Sequence, residues 1–318
     1  MNNSASQATV CVIMPMFNSE HTIIRALESI SAQTRLPDKV VVVNDGSTDS
    51  SPELVAKYQA PYELHLISQE NQGPSAARNR GITAAEEELV CFLDADDQWI
   101  DTKLEKQLNL YQQLTDKGHA VGIIDCFEQI LSNDGKNHLC NRVKHGEHFN
   151  DFIVRNIING TSCVMVKRQS LIEVGLFDSE IRFAEDRWLW TQIAEFYQIH
   201  TVPEVLSYRH IGDGNITSNP SKYFTHKKQF VEKFIAKYQS QFTDHQLSVF
   251  VFNNLYEFQR SFFDKKDYLN VIFVYKKMFK RSWRVLFFNK GKATIGFLIS
   301  VLMSRLGGGH HKEIEAYD

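Results

Sequence analysis

Leu89-Val90-Cys91-Phe92-Leu93-Asp94-Ala95-Asp96-Asp97 is an apolar run of strand length that breaks off into acid. The same pattern recurs upstream: Val10 to Met14 runs into Pro15-Met16-Phe17-Asn18, and Val40 to Val43 into Asn44-Asp45-Gly46-Ser47-Thr48-Asp49. A fourth short apolar run covers Leu64 to Ile67. Between these runs, Glu20 to Ala32 carries Ile23, Ile24, Leu27 and Ile30 at helical spacing, and Ser75 to Ala85 is alanine-rich. Strands alternating with helices at this interval predict βαβ units, hence a mostly parallel, Rossmann-like sheet with helices on both faces. Ligands bind outside the carboxyl ends of such strands, and the three polar clusters all fall there.

Composition narrows the class. The chain has 318 residues, 43% apolar and 23% charged, which suits a folded protein of about two domains rather than a disordered one. Its 35 basic and 38 acidic residues leave a net charge of −3, without the basic excess of a general nucleic-acid binder. Five scattered cysteines, Cys11, Cys91, Cys126, Cys140 and Cys163, form no C-x-x-C pair and suggest neither a disulfide framework nor structural zinc. The polar start, MNNSASQATV, does not read as a secretory signal, so the expected location is the cytoplasm.

From Asp116 to Arg209 the pattern is mixed, with strand-like Ser162 to Val166 and Val205 to Arg209 flanking a helix-like Asp186 to Tyr197. We read this stretch as completing the first domain, residues 1–218. Beyond Asn219-Pro220 glycine and proline nearly vanish, and aromatic and lysine residues predict a separate helical region over 219–318.

Asp94-Ala95-Asp96-Asp97 at a strand end offers carboxylate oxygens, which hard cations such as Mg²⁺ or Mn²⁺ prefer; Mg²⁺ is commonly held by one or two carboxylates plus substrate phosphates. A solvated turn with Asp97 capping the next helix accounts for the same residues equally well. Asn44-Asp45-Gly46-Ser47 reads as a tight turn in which a carboxylate faces a ligand, or simply as a turn and cap. Glu70 to Gly81 brings Arg78 and Arg80 on a small-residue helix towards the same edge, although surface helices carry arginine routinely. Glu185-Asp186 on its own is an acidic helix start favoured by the dipole.

In order, Pro-Met-Phe-Asn (15–18), Asn-Asp-Gly-Ser-Thr-Asp (44–49), Asn-Gln-Gly-Pro-Ser-Ala-Ala-Arg-Asn-Arg-Gly (71–81), Phe-Leu-Asp-Ala-Asp-Asp (92–97) and Ala-Glu-Asp-Arg-Trp-Leu-Trp (184–190) resemble family 2 of the glycosyltransferases, with its GT-A nucleotide-sugar fold. The resemblance spans about residues 9–218. It implies that Pro15, Phe17 and Glu20 border the nucleotide pocket, that Asp45 pairs with the uracil edge, and that Asn71 and Arg78 help hold the base. Asp94 would face the ribose and Asp96 a Mn²⁺ or Mg²⁺ ion bridging the diphosphate. Asp186 would be the general base towards the acceptor hydroxyl, and Glu185 would hold sugar hydroxyls. Ser207-Tyr208-Arg209-His210 is similar to the segment after the family's last core strand, which often reads Tyr-Arg-x-His. His210 stands one residue early, so a metal ligand and an exposed loop histidine fit equally. The glycines around Asp213 suit a lid ordered by donor binding.

These residues imply a metal-dependent, inverting hexosyl- or N-acetylhexosaminyl-transferase, moving a sugar from a UDP-sugar to a hydroxyl of a glycan or lipid-linked glycan. The family points to bacterial lipopolysaccharide, capsule or another surface polysaccharide. Inversion needs one carboxylate on the acceptor side and charge neutralisation at the departing diphosphate, whereas a retaining hydrolase needs two carboxyls flanking the scissile bond. A catalytically silent nucleotide-sugar binder would require an altered Asp186 or Asp96. A nicotinamide dehydrogenase lacks its G-x-G-x-x-G after the first strand, and the Gly-rich opening of sugar-nucleotide pyrophosphorylases is also missing.

Lys276 to Arg305 holds eight basic residues and no acid, interleaved with Phe279, Trp283, Phe287 and Phe288. That pattern predicts an amphipathic segment on an anionic membrane, on the inner face of the cytoplasmic membrane. The alternative is a buried helix with a solvated basic side. Its apolar core, Ala293 to Met303, is shorter than the ~20 residues that span a bilayer.

Overall fold

The first three apolar runs fold as longer strands than their apolar residues mark: β1 Val10–Met16, β2 Lys39–Asp45 and β3 Glu63–Gln69, followed by β4 Leu89–Phe92. The structure, a computed structural model, describes residues 8–211, 220–264 and short stretches between 266 and 301. Helices α1 Ile23–Ser31, α2 Ser51–Lys57 and α3 Pro74–Ala84 link the four strands. Then come β5 Gln98–Trp99, α4 Lys103–Thr115, β6 Val121–Ser132, β7 His138–Cys140, β8 His145–Gly146, β9 Met165–Lys167, α5 Arg168–Val174, α6 Glu185–Ala194 and β10 Gln198–Ile211.

The strands form one sheet in the order β3-β2-β1-β4-β9-β6-β10-β5, with β7 beside β6 and β8 beside β10. The β1–β2, β2–β3, β1–β4 and β6–β10 ladders are parallel, and β9 is wedged antiparallel between β4 and β6. The sheet is therefore mostly parallel, as expected. Strand-like Ser162 to Val166 divides into a 3₁₀ turn, Thr161–Cys163, and the short β9.

Val40 to Val43 are all fully buried, the mark of a strand covered on both faces. Pro15 lies inside β1, where it costs no ladder bond on the β4 side: that pairing stops at Ile13–Phe92, while β2 continues to Met16–Asn44. On one face α1 buries Ile23, Ala26, Leu27 and Ile30. On the other, α3 packs so closely that a Cβ on Gly81 would sit 2.4 Å from Ile13 Cγ2. Ile13 is fully buried and β-branched, so it cannot swing aside. Gly81→Ala is therefore expected to lower stability by about 1–3 kcal/mol despite alanine's better helix propensity; urea unfolding measures it, and an unchanged midpoint would contradict the close contact.

The chain divides into two units: Met1–Phe149, Asn156–Glu180 and Glu185–Asp213 in one, and Asn150–Arg155, Ile181–Ala184 and Gly214–Asp318 in the other. The sheet belongs to the first. In the second, α7 Pro220–Tyr238 and α8 Asp244–Asp264 supply the expected C-terminal helices. Phe230, Phe234 and Tyr238 repeat every four residues, all fully buried, and Phe234 stacks on Phe250 at 3.9 Å between ring centroids. A capping box opens α8: Gln246 N donates to Thr243 Oγ1 at 3.3 Å, and Thr243 N to Gln246 Oε1 at 3.0 Å. Among the described residues no helix is long and apolar enough to cross a membrane. Nearly all of Lys276 to Arg305, and Gly212 to Ser218 with its expected lid, lie outside the described residues.

Candidate active site

The ends of β1 and β2 are stitched together by their own turn residues. Asn18 sits in the left-handed region at φ 48°, its N–H donating to Ser47 Oγ at 3.0 Å while its Oδ1 accepts from Thr48 N at 2.8 Å. Asn44 Oδ1 accepts Ser47 N, closing the turn that Gly46 enters at φ 77°. A side chain at Gly46 would also meet Asn71 N at 3.0 Å, so that loop passes directly over the turn. Phe17 is 49% exposed at the strand end, next to Pro15, and leaves a ring face free for stacking.

Two acids expected at this edge face backbone amides. Glu20 Oε2 accepts Ser50 N at 3.1 Å at the start of α2. Asp45 is buried, its Oδ1 accepting Gln69 Nε2 and Gln72 N and its Oδ2 accepting Gly73 N, all within 2.9 Å. It fixes the loop that leads into α3 and presents the exposed Asn71.

Beyond β4 the acids cluster. Asp94 N donates to Ser162 Oγ at 3.1 Å, and Ser162 Oγ donates to Asp97 Oδ2 at 2.6 Å. Burial, then the Asp94 charge, pushes the Asp97 carboxyl well up. Asp96 is exposed; partial desolvation and Asp94 push its carboxyl up as well. Arg25 on α1 clamps this loop by donating Nη2 to the Asp96 carbonyl at 2.6 Å. Glu128 on β6 is buried against Arg209 Nη2 at 2.7 Å, and burial outweighs that cation to push it up to about 7.

Arg78 carries the cluster to α6. Its Nη2 lies 2.7 Å from Asp94 Oδ1, its Nη1 3.7 Å from Glu185 Oε1, and its guanidinium 5.4 Å from the Phe177 ring centroid. Burial opposes its charge, but Asp94 and Glu185 outweigh burial and hold it firmly protonated. Burial and the adjacent Asp186 push Glu185 up to about 7 against Arg78. Asp186 receives Asn156 Nδ2 on Oδ2 at 2.9 Å and Arg187 N on Oδ1 at 2.6 Å.

His210 reaches the same loop through its backbone, whose N–H lies 3.4 Å from Asp97 Oδ1. Its Nε2 is buried with no hydrogen-bond partner among the described residues, and burial, with Arg25 nearby, lowers the ring's basicity. A neutral imidazole and an exposed carboxylate suit a hard or borderline divalent ion. Among the described residues no three His, Cys, Asp or Glu side chains converge on one point, so any such site is incomplete without ligand oxygens.

Arg78, Asp94, Asp96, Glu185, Asp186 and His210 thus belong to one linked constellation, while Glu20 and Asp45 shape the turns beside it. Ser162, Asn156, Glu128 and Arg25 had no assigned role in the sequence. Ser162, in the 3₁₀ turn before β9, and Asn156, in a loop, are single polar residues marked by no spacing; Glu128 stands out as an acid inside the apolar run of β6.

The chain covers 96% of itself and 94% of the crystal structure of S. aureus TarS 1-349 in complex with UDP-GlcNAc, at TM-score 0.66 and 20% identity; the fold is the expected GT-A fold. An uncharacterised glycosyltransferase of Rickettsia bellii (strain RML369-C) is 30% identical over 230 residues, 70% of this chain and 32% of that protein. The minor teichoic acid biosynthesis protein GgaA of Bacillus subtilis (strain 168) is 29% identical over 195 residues, 57% of this chain and 42% of that one. The chain spans about a third of the length of the first of these curated relatives. The profile described as glycosyl transferase family 2 matches residues 11–177, more than half of the chain, and takes in the Asp94-Ala95-Asp96-Asp97 cluster but not Glu185-Asp186 or His210. By that match the chain belongs to glycosyl transferase family 2.

Proposed function

We propose that this chain transfers a hexose or N-acetylhexosamine from a UDP-sugar to a hydroxyl of a glycan or lipid-linked glycan, with inversion, in bacterial surface-polysaccharide synthesis such as lipopolysaccharide or capsule. The observation that carries the reading is the Asp94–Arg78–Glu185 chain, which ties the strand-end acids to the helix bearing Asp186. Asp186, oriented by two hydrogen bonds, keeps lone pairs for an acceptor hydroxyl and takes its proton as the new bond forms. Phe17, exposed at the end of β1, would offer the uracil a ring face, with Pro15 and Asn71 bordering the same pocket. The TarS structures with UDP and UDP-GlcNAc support the donor class.

Charge argues for a cation. Asp94, Asp96 and Asp186 stand with the partly protonated Asp97, Glu128 and Glu185 around Arg25, Arg78 and Arg209, whose charges are already engaged by these acids and by the Asp96 carbonyl, so the cluster has no cation left over for an entering diphosphate. Asp96 and His210 would hold Mn²⁺ or Mg²⁺. Such an ion, once bound, supplies the positive charge that stabilises the departing UDP. The eight basic residues of Lys276 to Arg305 support peripheral contact with the inner face of the cytoplasmic membrane.

Thermal melts with UDP, with and without Mn²⁺, test the site. UDP at a hundredfold excess over its Kd adds about 3 kcal/mol of stability, and we expect most of it to require the metal. Asp96→Ala is expected to abolish the metal-dependent part. A variant that keeps it would remove Asp96 from the metal site, and an absence of any UDP shift would favour a chain that binds no UDP-sugar.

A further inference from the structure

Asn156 lies 30 residues before Asp186 in sequence, outside every motif quoted above, yet its side-chain amide donates to Asp186 Oδ2 at 2.9 Å. The amide is not free to rotate. Its Oδ1 accepts Ile158 N at 3.2 Å, which fixes the oxygen towards its own turn and therefore the NH₂ towards Asp186. The backbone around it is anchored as well: Asn156 O accepts Arg142 Nη1 at 3.2 Å, and Ile157 O accepts Lys144 Nζ at 3.1 Å. Lys144 is itself locked by an ion pair to the fully buried Asp125 of β6, whose other oxygen accepts Thr201 Oγ1 of β10 at 2.7 Å. A rigid path thus runs from the β6–β10 ladder through Lys144 and the Asn156 turn to one oxygen of Asp186.

We propose that Asn156 is the positioning residue for Asp186: it holds the carboxylate in the orientation that receives the acceptor's proton. The proposal rests on the reading of Asp186 as base. Among the described residues, the charged groups beside Asp186 include Glu185 and Arg187, its neighbours in sequence, and Arg78, whose charge reaches it. Among the described residues, the hydrogen bonds that orient its carboxylate come from Asn156 Nδ2 and the Arg187 amide. A base must meet its proton within hydrogen-bond reach and in line.

The test is Asn156→Asp, which keeps the oxygen that accepts Ile158 N but exchanges the donor for a carboxylate oxygen that repels Asp186, beside Asn156→Ser, which removes the amide without adding charge. UDP release from UDP-GlcNAc, UDP-glucose and UDP-galactose is followed with wild type, Asn156→Asp, Asn156→Ser and Asp186→Asn. We expect Asn156→Asp to lower kcat by about ten- to a hundredfold with donor KM unchanged, and Asn156→Ser, which retains a short donor, to recover part of the loss. Melting temperature reports whether the turn survives. In parallel, the Asn156 side-chain NH₂ signal in ¹⁵N NMR, assigned by its loss in Asn156→Asp, should shift when Asp186 becomes Asn. Wild-type kcat in a folded Asn156→Asp variant, or an NH₂ signal indifferent to Asp186, overturns the positioning role. Full turnover by Asp186→Asn, or no UDP release by wild type, instead overturns the reading on which it rests.

Discussion

Asp186→Asn is expected to lower turnover by about a thousandfold while leaving UDP-sugar affinity within a factor of about two. Deprotonating the acceptor hydroxyl is the task only this group performs in the proposed reaction, and general-base catalysis contributes roughly 10²–10⁴-fold. Asparagine has nearly the shape of aspartate, so the loss falls on proton transfer rather than packing. Asn156 Nδ2 and Arg187 N both donate to the carboxylate, and an amide offers them only one oxygen, so a modest loosening at the start of α6 accompanies the change. Donor affinity should survive because Phe17, Asn71 and the Asp94–Asp96 loop stand apart from that contact. Isothermal titration with UDP-sugar and metal, beside initial rates with acceptor, separates the two effects. A variant that binds donor weakly would make Asp186 part of the donor site, and one that turns over normally would make Glu185 the better candidate for the base.

Three of the strands legible in the sequence, β1, β2 and β4, are buried on both faces, whereas β3, read from Leu64 to Ile67, lies half-exposed at the sheet edge. Val10 to Met14, Val40 to Val43 and Leu89 to Leu93 consist of apolar residues because nothing around them can satisfy a polar side chain. β6 was hidden, and of β10 only Val205 to Arg209 stood out, because this half breaks that rule. β6 carries Asp125 and Glu128 into the interior, one paired with Lys144 and the other with Arg209, and a charge within a strand reads as its end. α4 was hidden in the same way: Lys103 and Gln107, fully buried, spend their polar atoms on each other and on the carbonyls of Ile124 and Cys163. The site divides along a similar line. Asp94, Asp96, Glu185 and Asp186 stand in acidic pairs at element ends, where the topology explains their purpose. Ser162, from a 3₁₀ turn, and Asn156, from a loop, act on those acids from positions distant in sequence, and only the fold brings them close.

Arg78→Met should be the most damaging single change to the folded protein. Arg78 is buried and faces both Asp94 and Glu185, so removing its charge leaves two carboxylates without their common cation. Breaking a buried pair from one side costs roughly 3–5 kcal/mol; Asp94 is about one-third exposed and water screens part of that, so we expect about 2–4 kcal/mol and the loss of UDP-dependent stabilisation. A packing role over Phe177 would also cost stability, since the guanidinium sits 5.4 Å from that ring, but the two causes differ in pH dependence. Glu185 is already pushed up to about 7 with Arg78 present and must rise further without it. The folded variant therefore binds more protons than the folded wild type around neutrality, so its stability relative to wild type falls as pH rises and recovers as pH drops below 7. Urea unfolding at about pH 5.5 and about pH 8 reads the difference: a deficit clearly larger at the higher pH identifies charge compensation as the function of Arg78, whereas an equal deficit at both assigns it to packing. Arg78→Lys restores the charge without the two-pronged reach from Asp94 to Glu185, and should recover the pH-dependent part of the stability while leaving UDP binding impaired.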